Sequence, residues 1–288
     1  MITQVKILIT GAAGILGKTL TELFSEKYSV LSCDRNTLDI TSRVQVRKIT
    51  QQFCPDILIH TAAFTNVEKA EESPEDAFAI NIYGTLNLLE SIQMSNCLFI
   101  YISSTGIYGF AKEKMPYTEF DAVVPTTQYH RSKYEGELLI QRHAHRFLIL
   151  RTGWLFGGDI HQRKNFVYRR YLEAKSKTIL FADPIQRGNP TYVLDLSRQI
   201  EHLILNEVIG TYNCVSAEPV TRLEYIQEII SNLGLNCEVR SIEGNKFPRI
   251  APVSSNESAL NYGLDMRGLN IMPNWKSSLK MYINTLAL

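Results

Sequence analysis

Residues 7–17 read ILITGAAGILG: an unbroken apolar run, three glycines spaced GxxGxxG, and then the start of a helical pattern. Few folds accept that order. An apolar run without alternation is a strand buried on both faces, as in a parallel sheet covered by helices. The strand must then turn sharply into a helix. Gly11 allows the turn, Gly14 lets a phosphate approach the backbone, and Gly17 lets the helix pack close to the sheet. The free N–H groups of the first helical turn, at Ile15 and Leu16, favour an anion at the same place. The motif marks a dinucleotide site; from this segment alone, a plain glycine turn is the competing reading.

The alternation continues down the chain. Apolar runs occur at 5–9, 28–33, 56–60, 97–102 and 146–150, with helical stretches near 15–26, 41–53, 74–94 and 128–143. This predicts an α/β fold, a Rossmann-type doubly wound parallel sheet with helices on both faces. After about residue 153, Gly and Pro break the pattern. The expected organisation is an NAD(P)-binding domain over 1–153 and a smaller C-terminal substrate-binding lobe over 154–288, the segment near 189–209 returning to the first domain.

Formal net charge is +1 and no dense basic run appears, which argues against nucleic acid as a partner. No apolar run reaches about 18 residues, so no membrane span is expected. The N-terminal stretch offers no charged n-region or cleavage site, so a secretory signal is not expected either. Cys33, Cys54, Cys97, Cys214 and Cys237 are scattered and form no CxxC pair, which suggests neither a metal site nor a disulfide framework. The chain reads as cytoplasmic.

Ligands of such sheets bind beyond the carboxyl ends of the strands. After the second run stand Asp34 and Arg35. Asp34, 20 residues past Gly14, can bond adenosine ribose hydroxyls, and Arg35 can receive a 2′-phosphate; a solvated turn is the bland alternative. After the third run come Thr61, Ala62, Ala63, Phe64 and Thr65, where the two alanines let a cofactor lie against backbone. After the fourth come Ser103, Ser104, Thr105 and Gly106, which offer hydroxyls to a substrate.

Tyr129 and Lys133 form a YxxxK in a helical pattern, and i,i+4 spacing puts both on one face. A lysine ammonium beside a phenol favours phenolate and makes the tyrosine a general acid/base nearer neutrality. The motif is cheap in a chain with 14 tyrosines, and a second copy stands at Tyr171 and Lys175. Position separates the two: Tyr129 follows the Ser104 loop, whereas Tyr171 lies beyond the fifth run in a pattern that reads as helix surface.

On these residues the chain resembles the extended short-chain dehydrogenase/reductase superfamily and, more closely, the dTDP-4-dehydrorhamnose reductase family. Matching stretches include LDIT at 38–41, PDILIHTAAFTNVEKAE at 55–71, AINIYGTLNLLE at 79–90, YHRSKYEGE at 129–137, LRTGWLFG at 150–157, NFV at 165–167, GNPTYVLDL at 188–196 and MPNWKSSLKMYI at 272–283. The resemblance implies NADPH or NADH as cofactor and a nucleotide-linked 4-keto-6-deoxy sugar as substrate, reduced for surface polysaccharide. It makes Tyr129 the proton donor, Lys133 its tuner and the holder of the nicotinamide ribose, and Ser104 a second bond to the same carbonyl oxygen. It puts Asp39 and Ile40 at the adenine, and Ile15, Leu16, Ala62, Ala63, Phe64 and Thr152 along the cofactor. Thr65, Thr105, Trp154, Asn165 and Arg187 fall on the sugar side. The chain departs from the family pattern at Ser103–Gly109, at Arg187 and at Ala251, where an Arg-Pro pair is usual. A sugar-nucleotide epimerase and a non-catalytic regulatory subunit, similar to the one that pairs with methionine adenosyltransferase, are the alternatives. A dehydratase is disfavoured because Thr105 and Gly106 supply no acid. A homodimer stays open.

Overall fold

The computed structural model describes residues 4–110, 115–162, 164–242 and 249–286. The apolar run after Val5 forms β1 (Lys6–Thr10), and its side chains alternate between two buried faces. Ile7 and Ile9 face one helix layer; Leu8 faces the other. The same division recurs in β3 (Ile57–His60), β4 (Leu98–Ser104) and β5 (Phe147–Thr152). Together with β2 (Ser29–Cys33) and β10 (Gly210–Asn213) they make a six-stranded sheet in the order β2-β1-β3-β4-β5-β10. Every pairing is parallel. After β2 the chain crosses back past β1, so the strand order reverses between β1 and β3. That is where such sheets bind ligands.

One face carries α1 (Ile15–Ser25) and α8 (Val193–Leu205), through Leu16, Leu20, Phe24, Leu196, Ile200 and Leu203. The other carries α2 (Arg43–Phe53), α5 (Thr85–Ile92) and α6 (Gln128–His143), through Val46, Leu88, Leu89 and Ile140. The helical stretch expected at 74–94 is interrupted: α4 (Pro74–Phe78) runs into a π-helical turn at Ala79–Gly84 before α5. A short α3 (Val67–Glu72) precedes it, unannounced by periodicity.

The later chain adds three two-stranded sheets. β6 (Trp154–Phe156) pairs with β9 (Pro190–Tyr192), β7 (Ile179–Ala182) with β12 (Glu238–Ser241), and β8 (Arg187–Gly188) with β11 (Val220–Thr221). α7 (Phe166–Ser176), α9 (Arg222–Asn232), α10 (Tyr262–Asp265) and α11 (Trp275–Thr285) complete it. Its centre is aromatic: Phe156, Tyr192, Tyr225 and Tyr282 lie with ring centroids 5.3–6.1 Å apart about Phe156. The chain also goes back to the sheet: α8 lies on α1, and β10 becomes the sixth strand beyond the 189–209 segment. β10 escapes sequence reading because GTYN is an edge strand with one buried residue and no apolar run. Among the described residues no helix is long and apolar enough to cross a membrane.

Two polar groups sit deep in this frame. Glu137 and Arg151, both almost fully buried, form a two-point ion pair, with Arg151 Nη2 2.7 Å from Glu137 Oε2 and Nε 3.1 Å from Oε1. Arg151 Nη1 donates to Tyr108 Oη at 2.9 Å, and Tyr108 donates to Asn213 Oδ1 at 2.7 Å. The network joins α6, β5, β10 and the 3₁₀ turn at Thr105–Tyr108. Removing one buried charge strands the other, at about 3–5 kcal/mol. Glu137→Gln should therefore lower stability by that amount in urea unfolding, and a loss under about 1 kcal/mol would show the pair to be dispensable.

His60, at the end of β3, is 1% exposed, with Nδ1 2.8 Å from Thr10 Oγ1 and Nε2 3.1 Å from Thr85 Oγ1. Burial, assisted by the Lys133 charge, lowers its pKa to about 3. The folded chain thus keeps His60 neutral while the unfolded chain protonates it below about pH 6.5. Stability falls as pH drops from 6.5 towards 3, by up to about 5 kcal/mol at full titration. In His60→Gln the urea midpoint should change less over that pH window; an acid limb identical to that of the parent chain would exclude His60 as its source.

Candidate active site

The glycine turn is built as its spacing requires. Gly11 has φ +75°, and a Cβ there would stand 2.5 Å from the backbone N of Ala62. A Cβ on Gly17 would stand 2.3 Å from Gly11 O. Gly14 is the N-cap of α1, without a side-chain cap, and the first turn holds no acidic residue. The N–H groups of Ile15, Leu16 and Gly17 therefore lack both intrahelical and side-chain acceptors, and this cradle fits a pyrophosphate. Lys18 Nζ, 2.6 Å from Asp159, and Gln162, which donates to Ala13 O at 3.2 Å, bring the 158–162 loop across it.

At the end of β2, Asp34 Oδ1 accepts from the N–H groups of Asn36 and Thr37, both at 3.0 Å. The Thr37 bonds, first among them, hold its carboxyl below the usual range. Arg35 beside it is exposed. Asp39 is exposed and bonded to Thr41, whereas Ile40 is buried against Gly84 and belongs to the core. Ala62, Ala63 and Phe64 are half-buried opposite Gly11. Asn81, in the π turn, accepts from Phe64 N at 2.8 Å and donates to Phe64 O and to Ser132 Oγ. It clamps this loop to α6. Helical periodicity hides Asn81, because its role depends on the extra residue that a π turn inserts. Thr65 is exposed and touches Lys164 Nζ.

Ser104 ends β4, and its Oγ accepts from Gly106 N at 3.2 Å. Its register partner on β5 is Thr152, which is buried and donates to Ser103 O. Thr105 is 1% exposed. α6 is capped by Thr127 and turns Tyr129, Lys133 and Glu137 to one side, four residues apart. Lys133 Nζ lies 3.9 Å from the Tyr101 ring centroid. Burial pushes its pKa down to about 7, against the pull of Glu137. The Tyr129 phenol departs from expectation. Burial, and then the charge of Glu257, raise it above the usual tyrosine range, where a drop was expected from Lys133. Desolvation sets the direction, and burial also disfavours the charge of Lys133. Tyr129 is therefore a phenol at neutral pH, in the state that gives a proton.

On the sugar side the predicted residues divide. Trp154 is locked: a Cβ on Gly188 would stand 2.3 Å from its ring, the Arg222 guanidinium carbon lies 3.3 Å from the ring centroid, and Nε1 donates to Glu257 at 2.7 Å. Asn165 does not open to the cleft; it is fully buried, caps α7 and donates to Tyr282 Oη at 2.6 Å. Arg187 also stands apart. Neighbouring strand residues point to opposite faces, so with Gly188 towards Trp154, Arg187 lines a cavity with Glu218, Glu224 and Lys276. Tyr171 and Lys175 meet on the outer face of α7, with 3.3 Å between Nζ and Oη. The sequence reading missed Glu257, Arg222 and His130 at this site. They are far apart in the chain and share no motif.

The family described as "RmlD substrate binding domain" matches residues 5–288. A dTDP-4-dehydrorhamnose reductase of Aggregatibacter actinomycetemcomitans is 32% identical over 96% of this chain and 97% of its own. Spore coat polysaccharide biosynthesis protein SpsK of Bacillus subtilis is 30% identical, covering 96% of each. The crystal structure of dTDP-4-dehydrorhamnose reductase from Bacillus anthracis in complex with NADP superposes with a TM-score of 0.93, at 30% identity over 98% of this chain and 99% of that one. With the glycine cradle, the serine at the end of β4 and the Tyr129–Lys133 face in place, the chain belongs to the dTDP-4-dehydrorhamnose reductase family.

Proposed function

We propose that the chain is an NAD(P)H-dependent reductase of a nucleotide-linked 4-keto-6-deoxy sugar, making a deoxyhexose for surface polysaccharide. The observation that supports this reading is that the turn after Ser104 packs on α6, the helix with Tyr129 and Lys133 on one side: a Cβ on Gly106 would stand 2.1 Å from His130 Nε2. Residues 1–153 would hold the cofactor and 154–288 the sugar nucleotide, with α8 and β10 supporting the sheet.

The nicotinamide cofactor, when bound, supplies a hydride. The protein's part is binding, orientation and the proton. The N–H groups at the start of α1 hold the pyrophosphate, and Ala62 and Ala63 leave room along the backbone. Asp34 suits a ribose hydroxyl and Arg35 a 2′-phosphate, so both NADH and NADPH are accepted. Lys133 holds the nicotinamide ribose. Ser104 Oγ and Tyr129 Oη donate to the sugar C4 carbonyl oxygen, and Tyr129 passes its proton to that oxygen as negative charge develops. A raised phenol pKa keeps that proton available at neutral pH. A regulatory subunit without catalysis would have no need of all three groups.

The test is NADPH oxidation with dTDP-4-dehydrorhamnose and with the free sugar. The nucleotide-linked compound should turn over and the free sugar should not, since remote binding energy positions the reacting carbon. Tyr129→Phe should cut kcat by about 10²–10⁴-fold and leave cofactor affinity intact, while Tyr171→Phe changes neither. No cofactor oxidation across 4-keto sugar nucleotides would favour the regulatory reading; an active Tyr129→Phe would put the acid elsewhere.

A further inference from the structure

Glu257 lies on the sugar side, and the proton transfer proposed above does not use it. It is 7% exposed. Its backbone is fixed, with Glu257 N donating to Arg187 O at 2.9 Å. Oε2 accepts from Trp154 Nε1 at 2.7 Å. Oε1 has no hydrogen-bond donor among the described residues; His130 Nε2, at 3.9 Å, is too far. His130 is itself buried, bonded through Nδ1 to Thr127 and lowered in pKa by burial, so it stays neutral. Arg222 is close enough for its charge to be felt, yet makes no ion pair with Glu257 within 4 Å. An acceptor oxygen without a protein donor is free to take a hydrogen bond from a bound ligand.

The open oxygen lies close to the turn of α6 that carries the reacting group. The Tyr129 and His130 rings are 4.9 Å apart, and Glu257 Oε1 lies 3.9 Å from His130 Nε2. Its charge reaches the Tyr129 phenol. Oε1 is therefore separated by one side chain, His130, from the phenol that would protonate the carbonyl. Trp154 is pinned between Gly188 and Arg222 and presents its edge rather than a free face, so it serves to hold the carboxylate.

We propose that Glu257 determines substrate specificity: Oε1 accepts a hydrogen bond from the C2 or C3 hydroxyl of the 4-keto pyranose, while Trp154 fixes the other oxygen. The inference rests on the reductase reading above. A hydroxyl is the fitting donor. Arg222 already offsets part of the negative charge, so a cationic group on the sugar would gain less, whereas a hydroxyl needs only the open lone pair.

The experiment measures kcat/KM with NADPH for the dTDP-linked 4-keto-6-deoxyhexose and its 2-deoxy and 3-deoxy analogues. The wild-type enzyme should favour the parent sugar over one analogue by about 10–100-fold, the range for a hydrogen bond to a charged group. Glu257→Leu should bring the parent down to the level of that analogue and leave the analogue unchanged. Glu257→Gln keeps its amide oxygen on Trp154 and turns its NH₂ group to the sugar, where it donates to the hydroxyl oxygen in a weaker, neutral bond, so it should keep only a reduced preference. Unchanged NADP thermal shifts show that both variants remain folded. A Leu variant with wild-type preference, or equal losses on all three sugars, would make Glu257 a support for Trp154 and overturn the inference. If the wild-type enzyme reduces none of the three, the reductase reading fails and this inference with it.

Discussion

The position of α6 depends on a charge pair that no solvent sees. Glu137 and Arg151 meet at two points between α6 and β5, and Tyr108 and Asn213 extend the contact to the turn after β4 and to the last strand. Two α-helical steps of four residues separate Glu137 from Tyr129, with Lys133 between them. Anchoring the inner turn against the sheet thus sets the height and rotation of the outer one. The side chains that would work on substrate are carried by a helix whose other end is held by interactions strengthened in a low dielectric.

The same burial that stiffens the site reshapes its acid–base chemistry. Lys133 lies against the Tyr101 ring and is pushed to about 7. His60, beneath it, is kept neutral. Tyr129 is driven upward, with Glu257 adding to the effect of desolvation. In such surroundings each charge must be answered locally. Glu137 partly answers Lys133, and the start of α1 offers phosphates backbone N–H groups rather than a basic patch, which agrees with a net charge of +1.

Clefts between distant segments are also where specificity enters. Trp154 leaves β6, Arg222 opens α9 and Glu257 lies on the chain after β12. Their meeting places a carboxylate oxygen 3.9 Å from His130, the neighbour of Tyr129 on α6. Asn165, a short way past Trp154 in the chain, and Arg187, beside the Gly188 that packs on Trp154, are turned elsewhere by a helix cap and by the alternation of a strand. Proximity in sequence was a poor guide on this side because short strands and caps decide which way each side chain points.

On the cofactor side the chain could be read directly. A buried strand, a turn that tolerates only glycine and a helix N-terminus are local features, each set by neighbouring residues, and the parallel sheet follows from repeating them. The i,i+4 spacing of Tyr129 and Lys133 is local too. The tertiary structure alone decided the π turn that lets Asn81 clamp the Phe64 loop, the sixth strand with its polar sequence, and the direction of the Tyr129 pKa. It also decided the partners of Glu257. These depend on desolvation and on contacts between residues tens to more than a hundred positions apart, and neither quantity is written in any short stretch of sequence.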